Sequence, residues 1–319
     1  MIEDLTVHRG PSDEENYEQH WEGAYLEAHL VSNVGKKRSR NEDACAVSAP
    51  NTGKNGAEPP PILFAVADGM GGARGGARAS RLALETIIDS YYSFTSMGNG
   101  NIPQALRSAV EEANGRIYAE ADENPELEGM GTTASAVLIV GEYAYVAQVG
   151  DSRVYVVRAD GSLRQITNDH SLVAEQVRHG FISEEEARNH SLRNLITRAV
   201  GTRPGIKVDL FVAELARGDS LLICSDGLSN LVSDEQIAET MRNHTPDKAA
   251  HALVDEALVK GAPDNVTAIA VRVTQTPPQG RLDRGAVRIG IESPGLLDRL
   301  RHMLGADRSK HDTPPARKH

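Results

Sequence analysis

Apolar and polar positions along the 319-residue chain alternate between two periods. Short apolar runs of strand length recur at 25–31, 44–47, 62–67, 133–140, 143–149, 153–158, 206–214, 220–224 and 266–273. Spacing of three and four marks a helix over 74–94, with Ala79, Leu82, Ala83, Thr86 and Ile87 on one side. A second runs over 103–122, with Leu106, Ala109, Val110, Ala113 and Ile117 on its apolar face. Gly141-Glu142 joins two strands as a tight hairpin. Ser183 with Glu186 and Ser233 with Gln236 open capped helices, the first of them after a short helix over 170–179, and Thr245-Pro246 opens another. Strands and helices cluster instead of alternating, which predicts an α+β layered domain and not a parallel βαβ sheet.

The same pattern sets the boundaries. Residues 1–24 carry Asp13-Glu14-Glu15 and few apolar positions, and read as an acidic flexible leader in which Trp21 packs locally. The folded domain spans 25–273, interrupted by an exposed loop at 51–61. Within it, 167–200 is polar and broken, and reads as a surface lobe or flap beside the core. After Thr274 Pro, Gly and Arg take over in a tail over 274–319, and the core ends. In that tail Leu296, Leu297, Leu300 and Met303 fall at helical spacing between basic residues. They read as a segment that packs on its own domain or stays loose, with a docking helix as the sharper alternative.

Composition narrows the class. The chain is 39% hydrophobic and 25% charged, with a net charge of −11, a balance opposed to nucleic-acid binding. It shows no membrane-span-length apolar run and no secretory signal at Met1-Ile2-Glu3-Asp4-Leu5, so a cytoplasmic enzyme is expected. Two cysteines, Cys45 and Cys224, supply neither a disulfide framework nor a thiolate zinc site, and read as small apolar packing groups. The 11 histidines show no metal-ligand spacing, and His170 reads as a surface or capping residue. The glycine-rich stretch from Gly69 lacks the following Gly-Lys-Ser/Thr of a nucleotide-binding loop.

One grammar recurs where chemistry is expected. Phe64-Ala65-Val66-Ala67-Asp68-Gly69, Val146-Ala147-Gln148-Val149-Gly150-Asp151 and Leu221-Leu222-Ile223-Cys224-Ser225-Asp226 each end a buried strand on an aspartate. Asp264-Asn265 inverts the order and precedes a strand. Carboxylates converging at strand ends repel one another unless cations share them. Oxygen ligands without a His or Cys cluster point to a hard divalent ion, Mg²⁺ or Mn²⁺. Arg38, shortly before Glu42 and Asp43, supplies a guanidinium suited to a phosphate.

Arg38-Ser39-Arg40-Asn41-Glu42-Asp43 and Ala67-Asp68-Gly69-Met70-Gly71-Gly72 resemble the metal-dependent protein phosphatases of type 2C (the PPM family) in their bacterial form. Gly131-Thr132-Thr133-Ala134, Val149-Gly150-Asp151-Ser152-Arg153, Ile196-Thr197-Arg198-Ala199-Val200-Gly201, Ser225-Asp226-Gly227-Leu228 and Pro263-Asp264-Asn265-Val266-Thr267 match as well. The resemblance implies a four-layer αββα sandwich, two antiparallel sheets flanked by pairs of helices, with 167–200 as the flap. It implies hydrolysis of phosphoserine and phosphothreonine in the protein substrates of Ser/Thr kinases by a monomeric signalling enzyme. A hydroxide bridging two Mn²⁺ or Mg²⁺ ions would attack in line, without a phosphoenzyme.

By the same resemblance Asp68 bridges both ions, the Gly69 carbonyl binds one, and Asp226 and Asp264 bind the other. Glu42 and Asp43 hold the bound waters, Arg38 takes the substrate phosphate, and Asp151 with Asp226 forms a weaker third metal site. Met70 stands where animal members carry a histidine proposed as general acid, which leaves protonation of the leaving group to water. Asn230 stands where some members place another third-metal carboxylate. The rival reading is a catalytically silent member of the fold that binds phosphoproteins or a kinase.

Overall fold

The structure, a computed structural model, describes residues 5–11, 16–50, 61–71, 75–96, 101–280 and 282–289. Its strands are β1 (Leu5–Gly10), β2 (Asn16–Glu22), β3 (Leu26–Asn33), β4 (Asp43–Pro50), β5 (Ile62–Met70), β6 (Gly131–Thr132) and β7 (Ala134–Val140). They continue with β8 (Tyr143–Val149), β9 (Arg153–Val157), β10 (Leu163–Gln165), β11 (Asp209–Glu214), β12 (Ser220–Cys224), β13 (Val266–Val273) and β14 (Val287–Ile289). The helices are α1 (Gly75–Ser96), α2 (Ile102–Glu123), α3 (Leu172–Arg178), α4 (Glu184–Arg188), α5 (Asp226–Ser229), α6 (Asp234–Asn243) and α7 (Pro246–Val259).

Two sheets form, one in the order β1-β4-β5-β7-β8-β11-β14 with β6 on β5, the other β10-β9-β12-β13-β3-β2. Period two along each strand sends alternate side chains to opposite faces, so each sheet carries two apolar surfaces. Phe64, Val66, Val137, Leu30, Ile223 and Ile269 meet between the sheets. The outer face of the first sheet, with Leu63, Ala65 and Leu138, packs on Ile87 and Ile88 of α1 and Leu106 and Val110 of α2. The outer face of the second, with Leu222 and Ala270, packs on Ile237 of α6 and Leu253 of α7. The order of layers is helix, sheet, sheet, helix, as expected. Both capping boxes form, at Ser183 with Glu186 and at Ser233 with Gln236.

Two boundary expectations are corrected. The expected flexible leader holds two strands: β1 pairs with β4, and β2 pairs with β3. The pattern is masked because β2 is an edge strand with one half-open face, so only Tyr17 and Trp21 signal it. Trp21 meets Phe64 edge-on at 5.7 Å between ring centres and closes the inter-sheet core. The core also reaches past Thr274. Asp283 takes a hydrogen bond from the Ile102 amide, and its own amide donates to the Tyr145 hydroxyl. β14 then pairs in parallel with β11, and Ile289 packs on the inter-sheet core. Backbone pairing, not an apolar run, holds this strand. The helical spacing around Leu296–Leu300–Met303 lies outside the described residues.

If β2 belongs to the fold, Trp21→Ala should lower the unfolding free energy by about 1–3 kcal/mol through the loss of buried ring area and its aromatic contact. Urea denaturation followed by circular dichroism measures this, and an unchanged midpoint would detach β2 from the core.

Candidate active site

At one end of the sandwich the inter-sheet series of β4 and β5 each end on a carboxylate. On β5, Phe64 and Val66 face the second sheet, and Asp68 is the next residue in that series. On β4, Cys45 and Val47 do the same, and Asp43 precedes them. Antiparallel register sets Asp43 directly opposite Asp68, so two carboxylates share one face of neighbouring strands. Like charges so placed are destabilising.

The second sheet answers with hydroxyls. Ser225 Oγ donates to Asp43 Oδ2 at 2.8 Å, and Thr267 Oγ1 donates to the same oxygen at 2.6 Å. Ser32 Oγ lies 2.7 Å from Thr267 Oγ1 and accepts from Asn41 Nδ2. Asp43 is therefore held across both sheets by one oxygen, while its Oδ1 is buried with no hydrogen-bond partner. Burial, opposed by the two hydroxyls, pushes the Asp43 carboxyl up to about 7.

Asp68 is placed through its backbone. Its amide donates to Thr133 Oγ1 at 2.8 Å, and its carbonyl accepts from Thr132 Oγ1 and the Thr133 amide, both at 2.9 Å. Thr133 Oγ1 in turn lies 2.8 Å from Ser152 Oγ. Gly69 follows where nothing larger fits, since a Cβ there would sit 2.2 Å from the Gly76 carbonyl oxygen and 2.6 Å from that of Glu42. The start of α1 thus closes against the Asp68-Gly69 turn.

Asp226 begins α5 immediately after the Ser225 cap, and Asn230 Nδ2 donates to its Oδ2 at 3.1 Å. Asp226 is also one of the charges acting on Asp68. Asp264 accepts from Arg38 Nη2 at 2.8 Å, and Arg38 Nη1 is 3.8 Å from Glu42 Oε2. Arg38 keeps about half its side chain in solvent, 47%, at the mouth of the cluster. Asn265 ties this loop to β13: its Oδ1 accepts from the Glu42 amide, and its Nδ2 donates to the Val34 and Arg40 carbonyls.

Burial, then the neighbouring charges of Asp43, Asp226, Asp151 and Asp264, hold Asp68 well above the ordinary carboxylate range. Burial and Asp264 raise Asp226, and burial raises Glu42 against the pull of Arg38. Asp151 stands at the edge, pushed up to about 8 by burial and by Asp226 and Asp169. The structure thus brings together all the expected residues: Arg38, Glu42, Asp43, Asp68, Gly69, Asp226 and Asp264 around one centre, with Asp151 joined to it through Asp226.

Sequence reasoning missed the second tier. Ser225, Thr267, Thr133, Ser152 and Asn265 all lie inside the matched motifs, but only packing of two sheets shows what they bond. His170 is corrected outright. It is fully buried, accepting from the Gly150 amide at Nδ1 and lying 3.1 Å from Asp209 Oδ2 at Nε2. Arg198 Nη1 donates to Asp209 Oδ1 at 3.0 Å, and these bonds hold Asp209 down to about 2. This network pins the start of the 167–200 segment to the loop that carries Asp151. Cys45 and Cys224 are buried among apolar groups, and burial pushes both thiols up, as expected for packing residues.

Residues 28–266 match the model of the family described as Protein phosphatase 2C. The chain belongs to that family. Over 248 residues this phosphatase is 36% identical to the serine/threonine phosphatase stp of Listeria monocytogenes, spanning 77% of this chain and 95% of the relative. It superposes on the crystal structure of the Mycobacterium tuberculosis serine/threonine phosphatase PstP/Ppp with a TM-score of 0.68 at 37% identity, covering 79% of this chain and 100% of the other. The PstP catalytic domain solved with two manganese ions gives 0.66 at 37% identity, covering 79% and 99%. This phosphatase is a metal-dependent protein serine/threonine phosphatase that uses Mn²⁺ or Mg²⁺.

A carboxyl whose folded pKa is raised binds more protons folded than unfolded, so its contribution falls as pH rises through the folded value. Metal-free protein should therefore lose stability by a few kcal/mol between about pH 5 and pH 8. Saturating Mn²⁺ should flatten that slope by taking the place of the protons. Thermal melts across this range, with chelator and with metal, read both effects.

Proposed function

We propose that Asp68 holds both divalent ions of this phosphatase, with the Gly69 carbonyl on one and Asp226 and Asp264 on the other. Glu42 and Asp43 position the water around them, and Asp151 with Asp226 offers a weaker third site. The observation that carries this reading is the buried, unpartnered Asp43 Oδ1 beside Asp68. A buried anionic oxygen without a donor is costly, and its neighbours are further carboxylates whose raised pKa values record the same deficit of positive charge. An all-oxygen donor set of this kind fits hard divalent ions. Bound there, such ions supply the charge that polarises a phosphoryl group and lowers the pKa of a nearby water.

The protein's own groups do the rest. Arg38 is oriented by Asp264 and Glu42, and with about half of its side chain in solvent it can clasp oxygens of a phosphate monoester. That grip aligns the phosphorus with the carboxylates beneath and favours attack from the side opposite the serine or threonine oxygen. Met70, at the end of β5, offers no proton, and His170 is occupied with Gly150 and Asp209. The leaving hydroxyl therefore takes its proton from water at the site. Asn230 donates to Asp226 where a carboxylate would have added negative charge, which weakens the third site.

The reading extends to phosphoserine and phosphothreonine proteins made by Ser/Thr kinases as substrates, hydrolysed without a phosphoenzyme by a monomeric, cytoplasmic enzyme of signal transduction. Among the described residues no helix is long and apolar enough to cross a membrane. Hydrolysis of a phosphothreonine peptide with Mn²⁺ tests the assignment. Asp226→Ala should cut kcat by about 100-fold or more, since even outer-shell partners of a metal are worth up to about that factor. Activity surviving this change, or full chelation, counts against the ligand set. Arg38→Ala should raise KM for the peptide about 10- to 100-fold, the loss of a charge-assisted bond of about 1.5–3 kcal/mol. An unchanged KM removes Arg38 from the substrate's phosphate.

A further inference from the structure

A second ligand cluster lies on the opposite side of the second sheet, away from the carboxylate centre. There β2, β3 and α7 meet, and each contributes one group: Glu18, His29 and His251. His29 Nε2 and His251 Nε2 both lie 3.0 Å from Glu18 Oε1, and the three ligand atoms fall within 4.8 Å of one another. The two imidazole rings are 5.2 Å apart between centres. We propose that Glu18, His29 and His251 form a binding site for a borderline divalent transition ion, Zn²⁺ by preference, that clips β2 to β3 and α7.

The topology explains the convergence. Along β3, His29 and Val31 point outward from the sandwich toward α7, and register sets Glu18 opposite Val31 and His20 opposite His29. Glu18 is therefore diagonal to His29 on the same face, the arrangement that lets a long side chain reach across. His251 comes down from α7 onto the same oxygen. Two imidazoles and one carboxylate, with a fourth position left to water, is a ligand set that zinc takes elsewhere in proteins. Zinc–ligand bonds of about 2.0–2.2 Å around a tetrahedron place neighbouring ligand atoms about 3.3 Å apart. The two 3.0 Å separations to Glu18 need to open by a few tenths of an ångström, and the two imidazole nitrogens, within 4.8 Å of each other, need to settle at the same spacing.

Charge favours the same outcome. His29 is buried, its side chain 5% exposed, whereas Glu18 and His251 keep 58% and 45%, so the site has a fixed floor and an open mouth. Burial holds His29 below the ordinary histidine range, which keeps a lone pair available, and the hydrogen bond from His251 holds Glu18 ionised. His29 Nδ1 has no partner. In the metal-free protein the contact with the Glu18 carboxylate therefore places the proton on Nε2, and a metal at Nε2 would move that proton to Nδ1. His20, 6.0 Å from His29 between ring centres, and Asp247 of α7 are the other titratable groups facing this corner. Glu18 precedes the residues matched by the family model, 28–266, so the site depends on a strand that the shared domain does not include. It stands independently of the catalytic assignment.

Co²⁺ titration of the full-length chain, with Mg²⁺ in excess to occupy the oxygen-rich centre, tests this proposal. One equivalent should bind with the strong visible absorption of a low-coordinate nitrogen-containing site, and Zn²⁺ should bleach it by displacement. Glu18→Gln and His251→Ala, both at half-exposed positions, should each weaken binding at least about tenfold, while Asp226→Asn should leave it unchanged. Zn²⁺ should also raise the Tm of the parent protein and not that of His251→Ala. Absence of the absorption, or absorption that survives in both corner variants and disappears in Asp226→Asn, overturns the proposal.

Discussion

The structure depends on holding several negative charges close together at the rim between two apolar sheets. Asp43 and Asp68 end the inward-facing series of β4 and β5, and Asp226 at the start of α5 and Asp264 before β13 join them at the same edge of the sandwich. Left to themselves such carboxylates repel and take up protons, which is what their raised pKa values express. The large buried apolar core between the sheets supplies the stability that offsets the local deficit. The site is thus a region of stored electrostatic tension on a rigid frame, a state that a divalent cation relieves.

That frame is polar where it needs to be. Hydroxyls of Ser225 and Thr267 satisfy one oxygen of Asp43 from the opposite sheet and leave the other unpartnered. Thr132 and Thr133 fix the backbone of Asp68, and Asn265 fixes the loop that carries Arg38 and Glu42. None of these contacts adds charge. They set direction, so that the unsatisfied oxygens converge where a cation can share them. Residues 167–200 join the same frame through His170, which accepts from the Gly150 amide just before Asp151.

The opposite corner obeys different chemistry. The catalytic rim has oxygen donors, several charges and one guanidinium, and suits hard ions. The β2–β3–α7 corner has two imidazoles around one carboxylate, and suits softer ones. One fold thus offers two donor environments separated by a β-sheet, with selectivity between them set by donor type.

Much of this was legible along the chain. Strand and helix periods placed the main elements, both capping boxes formed where Ser and Glu or Gln stood three apart, and every strand-ending aspartate reached the same rim. Local physics suffices for these, because period, caps and turn residues act within a few positions. The edge strands β2 and β14 were not legible, since they are held by backbone pairing to distant partners and carry little apolar signal. Nor was the burial of His170 or the meeting of Glu18 with His29 and His251, which lie 11 and 233 residues from it. The sequence by itself determined which side chains could carry charge, turn the backbone or fill the core. Tertiary structure alone decided which of them share an oxygen, because hydrogen bonds and ion pairs depend on ångström separations between residues that chain order leaves far apart.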